Sequence, residues 1–181
     1  MTTAIEVASY IQTIDKSADK LKMMKLLYYI QSWCLVWTGK PMFSDDIESW
    51  EFGPVVPDVF YAYPHKKNNV VIPLTNSLTN EQIDIITSVV NVFKNTRGTE
   101  MIDLTHSEQP WQNAIKSNYK NEKISEIDMV KFFNKLLITD KNNKYIPIQP
   151  LSLKENIDLD KMGEFEESVQ QEWDKALKIL A

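Results

Sequence analysis

Residues 20–38, KLKMMKLLYYIQSWCLVWT, carry apolar side chains on almost every face of a helix. A helix that is hydrophobic all round is a buried one, so this segment is predicted to run through the centre of the fold with the rest of the chain packed around it. Asp19 stands ready to cap its start, and Gly39-Lys40-Pro41 ends it, because glycine accepts a left-handed cap and proline cannot continue the hydrogen-bond ladder. Lys25 is the anomaly within it. Its stem is expected to be buried and its ammonium paired with an acid, Glu48 or Glu51. Cys34 is the only cysteine and sits in YYIQSWCLVW, which reads as a small buried hydrophobe and allows no internal disulfide.

Upstream, Ile5, Ala8, Ile11 and Ile14 recur at helical spacing and predict a short first helix. Downstream, DDIESWEFGPVVP (45–57) reads as an extended strand that Gly53-Pro54 breaks, with Pro54 or Pro57 opening a short helix in VVPDVFYAY. NVVIPL (69–74) is a candidate second strand. Thr79 with Gln82 forms a capping-box pattern ahead of a helix whose stripe is Ile83, Ile86, Val90 and Phe93. TEMIDLTHSEQPWQNAI (99–115) predicts two short helices meeting near Gln109-Pro110. Ser125 with Asp128 opens a further helix, and the proline-interrupted KYIPIQPL (144–151) is at most an edge strand. Met162, Phe165, Val169, Trp173, Leu177 and Leu180 mark residues 160–180 as an amphipathic helix. The expected fold is therefore mainly α: a compact multi-helix domain over residues 1–149 with a small β element, and a C-terminal amphipathic helix in residues 150–181 packed on it.

At 181 residues and 43% hydrophobic, the chain has enough apolar material for one domain with a real core. Of its 20 basic and 25 acidic side chains, 4 basic and 8 acidic fall in residues 150–181. The body is thus almost neutral, which argues against nucleic-acid binding, since phosphate affinity comes from clustered Lys and Arg. The N-terminus lacks the basic start and apolar run of a signal peptide, and no stretch approaches the ~20 apolar residues of a membrane span, so a cytoplasmic protein is expected. Scattered His65, His106 and Cys34 do not suggest a metal site, and glycines 39, 53, 98 and 163 stand alone rather than forming a phosphate loop. No cofactor is expected.

His106 is the one titratable ring in a suggestive setting, LTHSEQPW, with Glu108 two residues on. It can be read as a general base oriented by that acid, but the favoured reading is structural, with its nitrogens joining helix ends and Trp111 filling the core beneath.

Three blocks together carry a resemblance: residues 19–63, the helix after Leu78-Thr79, and LTHSEQPWQNA (104–114). Lys25-Leu26-Leu27-Tyr28 lies on the central helix, Gly39 to Phe43 follows it, and Ser49-Trp50 comes before Gly53-Pro54-Val55. Thr105, His106, Glu108, Pro110 and Trp111 complete a Thr-His-x-Glu-x-Pro-Trp pattern. The chain resembles the Panacea-domain family, with its GepA-like phage-associated proteins and SocA-like antitoxins, over about residues 5–140. That resemblance implies a mostly helical domain with a small β element, and proteins that neutralise a partner toxin by binding; some relatives act as adaptors that pass a toxin to a protease. It also implies that Lys25, Leu26, Tyr28, Trp50, Gly53, Pro54, Val55, His106, Glu108, Pro110 and Trp111 are shared architecture rather than a shared grip, with Trp50 a buried core ring. Residues 141–181 fall outside it. The acidic side chains Glu164, Glu166, Glu167, Glu172 and Asp174 of that tail are the candidate partner-binding groups.

The leading expectation is a stoichiometric protein-binding antitoxin or phage-associated interaction protein. The alternatives are a mobile-element protein that regulates another host or phage protein, and an enzyme using His106 and Glu108.

Overall fold

A capping box opens the chain: the Thr3 hydroxyl accepts from the Glu6 amide and the Glu6 side chain accepts from the Thr3 amide, starting α1, Ala4–Ile14. The computed structural model describes residues 2–62, 78–116 and 121–154. Among these it is mainly helical, with eight helices and a two-stranded antiparallel sheet. The predicted second strand at 69–74 and the predicted helix at 160–180 lie outside the described residues. The chain divides after Pro150 into a unit of residues 1–150 and a second of residues 151–181, of which only the short helix Leu151–Lys154 is described.

The central helix, α2, runs Lys20–Thr38, with the Asp19 carboxylate accepting from the Lys22 amide at 2.8 Å and Gly39 closing it at φ 68°. Residues 22–35 are buried without interruption, as an all-round apolar helix requires. Lys22 is tolerated there because its ammonium meets Asp15 at 2.8 Å and the Lys94 carbonyl at 3.0 Å.

Four helices pack around α2 in unit 1–150. They are α1; α4, Asn80–Val92, started by the Thr79–Gln82 capping box; α5, Gly98–His106; and α7, Glu126–Thr139, capped by Ser125. The buried stripe of α4 is Ile85, Ile86, Val89, Val90 and the following Phe93; Ile83 stands at its edge, half-buried. Phe133 of α7 meets Tyr28, Tyr29 and Trp33 of α2 edge-on, with ring centres 5.2–6.0 Å apart. The short helices α3, Pro57–Ala62, and α6, Gln109–Ile115, complete this unit.

The sheet departs from expectation. Gly53-Pro54 does not end the extended segment; it forms the second strand. Strand β1, Glu48–Trp50, pairs with β2, Gly53–Val55, in the register Glu48 to Val55, Ser49 to Pro54 and Trp50 to Gly53. Neither Glu51 nor Phe52 in the two-residue turn has a positive φ, so the left-handed turn a tight hairpin needs falls to Gly53 at φ 90°. Proline is harmless in β2 because the Ser49 amide points to the opposite edge, donating to the Glu122 carbonyl at 2.8 Å. Ser49 and Pro54 are therefore a pair that exchanges no hydrogen bond. Residues 122–124 occupy that opposite edge, with the Ile124 amide on the Ile47 carbonyl at 2.7 Å. The proline-interrupted segment at 144–150 forms no strand.

Candidate functional site

The hairpin and the α5–α6 junction meet one face of α2, at Lys25 and Tyr29. Because Ser49 and Pro54 exchange no bond, the Pro54 carbonyl faces away from β1, and it receives the Lys25 ammonium at 2.9 Å. Lys25 is fully buried and this carbonyl is its partner; the expected ion pair with Glu48 or Glu51 does not form. Burial without a counter-charge lowers its pKa from 10.5 to about 7. Gly53 is packed just as tightly: a Cβ there would lie 2.7 Å from Thr105 Oγ1 and 2.8 Å from Lys25 Cε and Nζ.

At the junction of α5 and α6, the His106 ring stacks on Trp111 with centres 4.0 Å apart, and Trp111 donates its indole N–H to the Trp50 carbonyl at 3.1 Å. Trp111 is half-buried, so it seals the hairpin to α6 rather than filling a core beneath the histidine. Burial first, and the Lys25 charge second, lower the His106 pKa, while the Glu51 backbone and Asp103 pull it upward. Glu108 is not among its partners. The acid turns the other way, into the protein, where its Oε1 accepts from the Tyr29 hydroxyl at 2.8 Å. Burial raises the Glu108 pKa from 4.5 to about 7, with the Tyr28 and Tyr29 hydroxyls drawing it back. Its second oxygen and the Tyr28 hydroxyl are both buried and near each other, but among the described residues neither closes a full hydrogen bond. A His106 base oriented by Glu108 is therefore not assembled.

Among the described motif residues, Lys25, Leu26, Tyr28, Gly53, Pro54, Val55, Glu108 and Pro110 are buried, while Trp50, His106 and Trp111 are half-buried. Trp50 is thus not the fully buried core ring expected. It leans on Phe60, with ring centres 4.9 Å apart, and on Tyr61, and donates to Glu48 Oε2 at 2.7 Å. Phe52 and Tyr61 beside it are 62% and 75% exposed. The corner is both a turn and an aromatic surface. Trp50→Ala is accordingly expected to cost about 1–3 kcal/mol, less than the ~3–5 of a fully buried ring, and to leave the domain folded; a thermal melt decides it.

Tyr29 is the participant that sequence reasoning passed over, although its spacing of four from Lys25 puts both on one face of α2. Cys34 is buried, and burial pushes its thiol up to about 11, in keeping with a small hydrophobe. Among the described residues no three His, Cys, Asp or Glu side chains gather as metal ligands, and no helix is long and apolar enough to cross a membrane. The acids Glu164, Glu166, Glu167, Glu172 and Asp174 lie outside the described residues.

A family model described as antitoxin SocA-like, Panacea domain, matches residues 23–112, a span that holds every motif residue and is shorter than the 5–140 of the sequence resemblance. No curated protein and no solved structure matches the chain.

Proposed function

From a chain that carries the SocA-like Panacea domain over residues 23–112, we propose a cytoplasmic antitoxin that neutralises a partner toxin by stoichiometric binding, without catalysis. The family match carries this reading. The geometry supports it, because His106 and Glu108 face different partners and the motif residues are spent on holding the hairpin and the α5–α6 junction to α2. The adjacent open reading frame that proves toxic on expression is the partner to test. Titrating the purified chain against it should abolish toxicity or toxin activity at one to one; neutralisation at a small fraction of that ratio would point to an enzyme instead.

The acids Glu164, Glu166, Glu167, Glu172 and Asp174 are proposed to steer a basic partner onto the chain, since like-signed clusters raise association rates in a salt-dependent way. Replacing Glu166, Glu167 and Asp174 with lysine should slow association about tenfold or more at low salt and leave the melting temperature nearly unchanged. An unaltered rate and salt dependence would make those acids ordinary solvated surface.

A further inference from the structure

Glu108 borders a cavity of about 190 Å3 whose walls include Tyr29, Leu104, Phe132, Leu136 and Tyr145. Glu108 is only 8% exposed, and among the described residues one of its oxygens closes no hydrogen bond, although the Tyr28 hydroxyl lies near enough to draw its pKa down. Among the described residues no lysine, arginine or histidine forms an ion pair with it, and the groups that draw its pKa down are the Tyr28 and Tyr29 hydroxyls. A buried carboxyl of this kind lacks one thing, a positive charge, and a group that brought one would be favoured wherever water is excluded.

We propose that this cavity binds an organic cation, an alkylammonium or alkylguanidinium group, whose head meets the Glu108 carboxylate while its stem lies along Leu104, Phe132 and Leu136. The space suits it, because 190 Å3 is about six times the ~30 Å3 share of a water and so has the size of a side chain rather than of a single solvent molecule. The apolar walls would take the methylene stem, as the body of a lysine or arginine side chain packs against hydrocarbon with its charged head on a polar group. The cavity also has a neighbour. A groove of about 310 Å3 along α6 and α7 shares Phe132 and Leu136 with it. A free amine and a lysine or arginine of a bound protein share this chemistry. The second source rests on the antitoxin reading; the first does not.

The test titrates the full chain with n-butylguanidinium, n-butylammonium and the neutral isostere n-butylurea, followed by protein NMR. The cations should give saturable shifts around Glu108 and bind at least tenfold more tightly than butylurea. Glu108→Gln keeps an acceptor for the Tyr29 hydroxyl and should cost the cations tenfold while leaving butylurea unaffected. Leu104→Phe, which fills the cavity and spares Glu108, should abolish binding of all three, with thermal melts confirming that each variant is folded. If butylurea binds as tightly as the cations, or Glu108→Gln keeps their affinity, the proposal fails, and Tyr28 and water complete the carboxyl instead. Competition between butylguanidinium and the neutralised toxin would assign the cation to the partner's side chain; cation binding without competition would assign it to a free amine.

Discussion

Gly53→Val should lower the stability of the domain by about 2–6 kcal/mol, the sum of strain from a left-handed backbone and overpacking by the new side chain. Gly53 sits at φ 90°, a conformation that a β-branched residue adopts only under strain, and any Cβ would press on Thr105 Oγ1 at 2.7 Å. The other neighbours, Lys25 Cε and Nζ, cannot swing aside because Lys25 is fully buried and held on the Pro54 carbonyl. In a chain of this size the loss corresponds to a fall in melting temperature of roughly 4–24 °C. Gly53→Ala should show a smaller fall, and adding Thr105→Ala to it should recover the part due to the Thr105 contact while leaving the parts due to Lys25 and to φ. A melting temperature of Gly53→Val within about 2 °C of the parent would mean that the hairpin is not seated on α2 as described.

The same corner explains what could be read in the sequence. The central helix was legible because burial on all faces leaves a one-dimensional signature, an apolar run with a cap at each end, that needs no knowledge of its neighbours. The capping pairs Thr79–Gln82 and Ser125–Asp128 were legible because they are local: each bond spans three residues. The hairpin was not. A Gly-Pro pair commonly punctuates, and whether proline blocks a strand depends on which way its partner's amide points. That direction is fixed by residues 122–124, more than 70 residues away from Ser49. The same long-range geometry turned the Pro54 carbonyl toward Lys25, so the lysine found a backbone acceptor where its sequence neighbours suggested a carboxylate. Glu108 is a similar case. Its closeness to His106 in sequence suggested a catalytic pair, but the two residues flank the α5–α6 junction and leave it in different directions, one to the hairpin side and one to Tyr29.

Two buried groups titrating near neutrality with opposite signs should give the protein an unusual dependence of stability on pH. Lys25 has its folded pKa lowered from 10.5 to about 7, so the stability it contributes is fully present above 10.5 and is lost as pH falls through about 7. Glu108 has its folded pKa raised from 4.5 to about 7, so its contribution is present below 4.5 and is lost as pH rises through about 7. At 1.36 kcal/mol per pKa unit the two limbs amount to about 3–6 and about 2–5 kcal/mol. Their sum is smallest around pH 7. His106, lowered by burial and by the Lys25 charge, loses stability as pH falls below about 6.5 and partly masks the Glu108 limb in the parent protein. The groups are therefore separated by difference. Stability of the parent minus that of Lys25→Met, from urea titrations, should climb between pH 7 and 10.5. The corresponding difference for Glu108→Gln should decline between pH 4.5 and 7. Both variants remove a group that is buried at a cost, so each should lose less than an ordinary core truncation at neutral pH, the lysine variant giving up its bond to the Pro54 carbonyl. Flat difference curves would mean that both side chains reach water in solution, and that neither the hairpin nor the α5–α6 junction closes over α2.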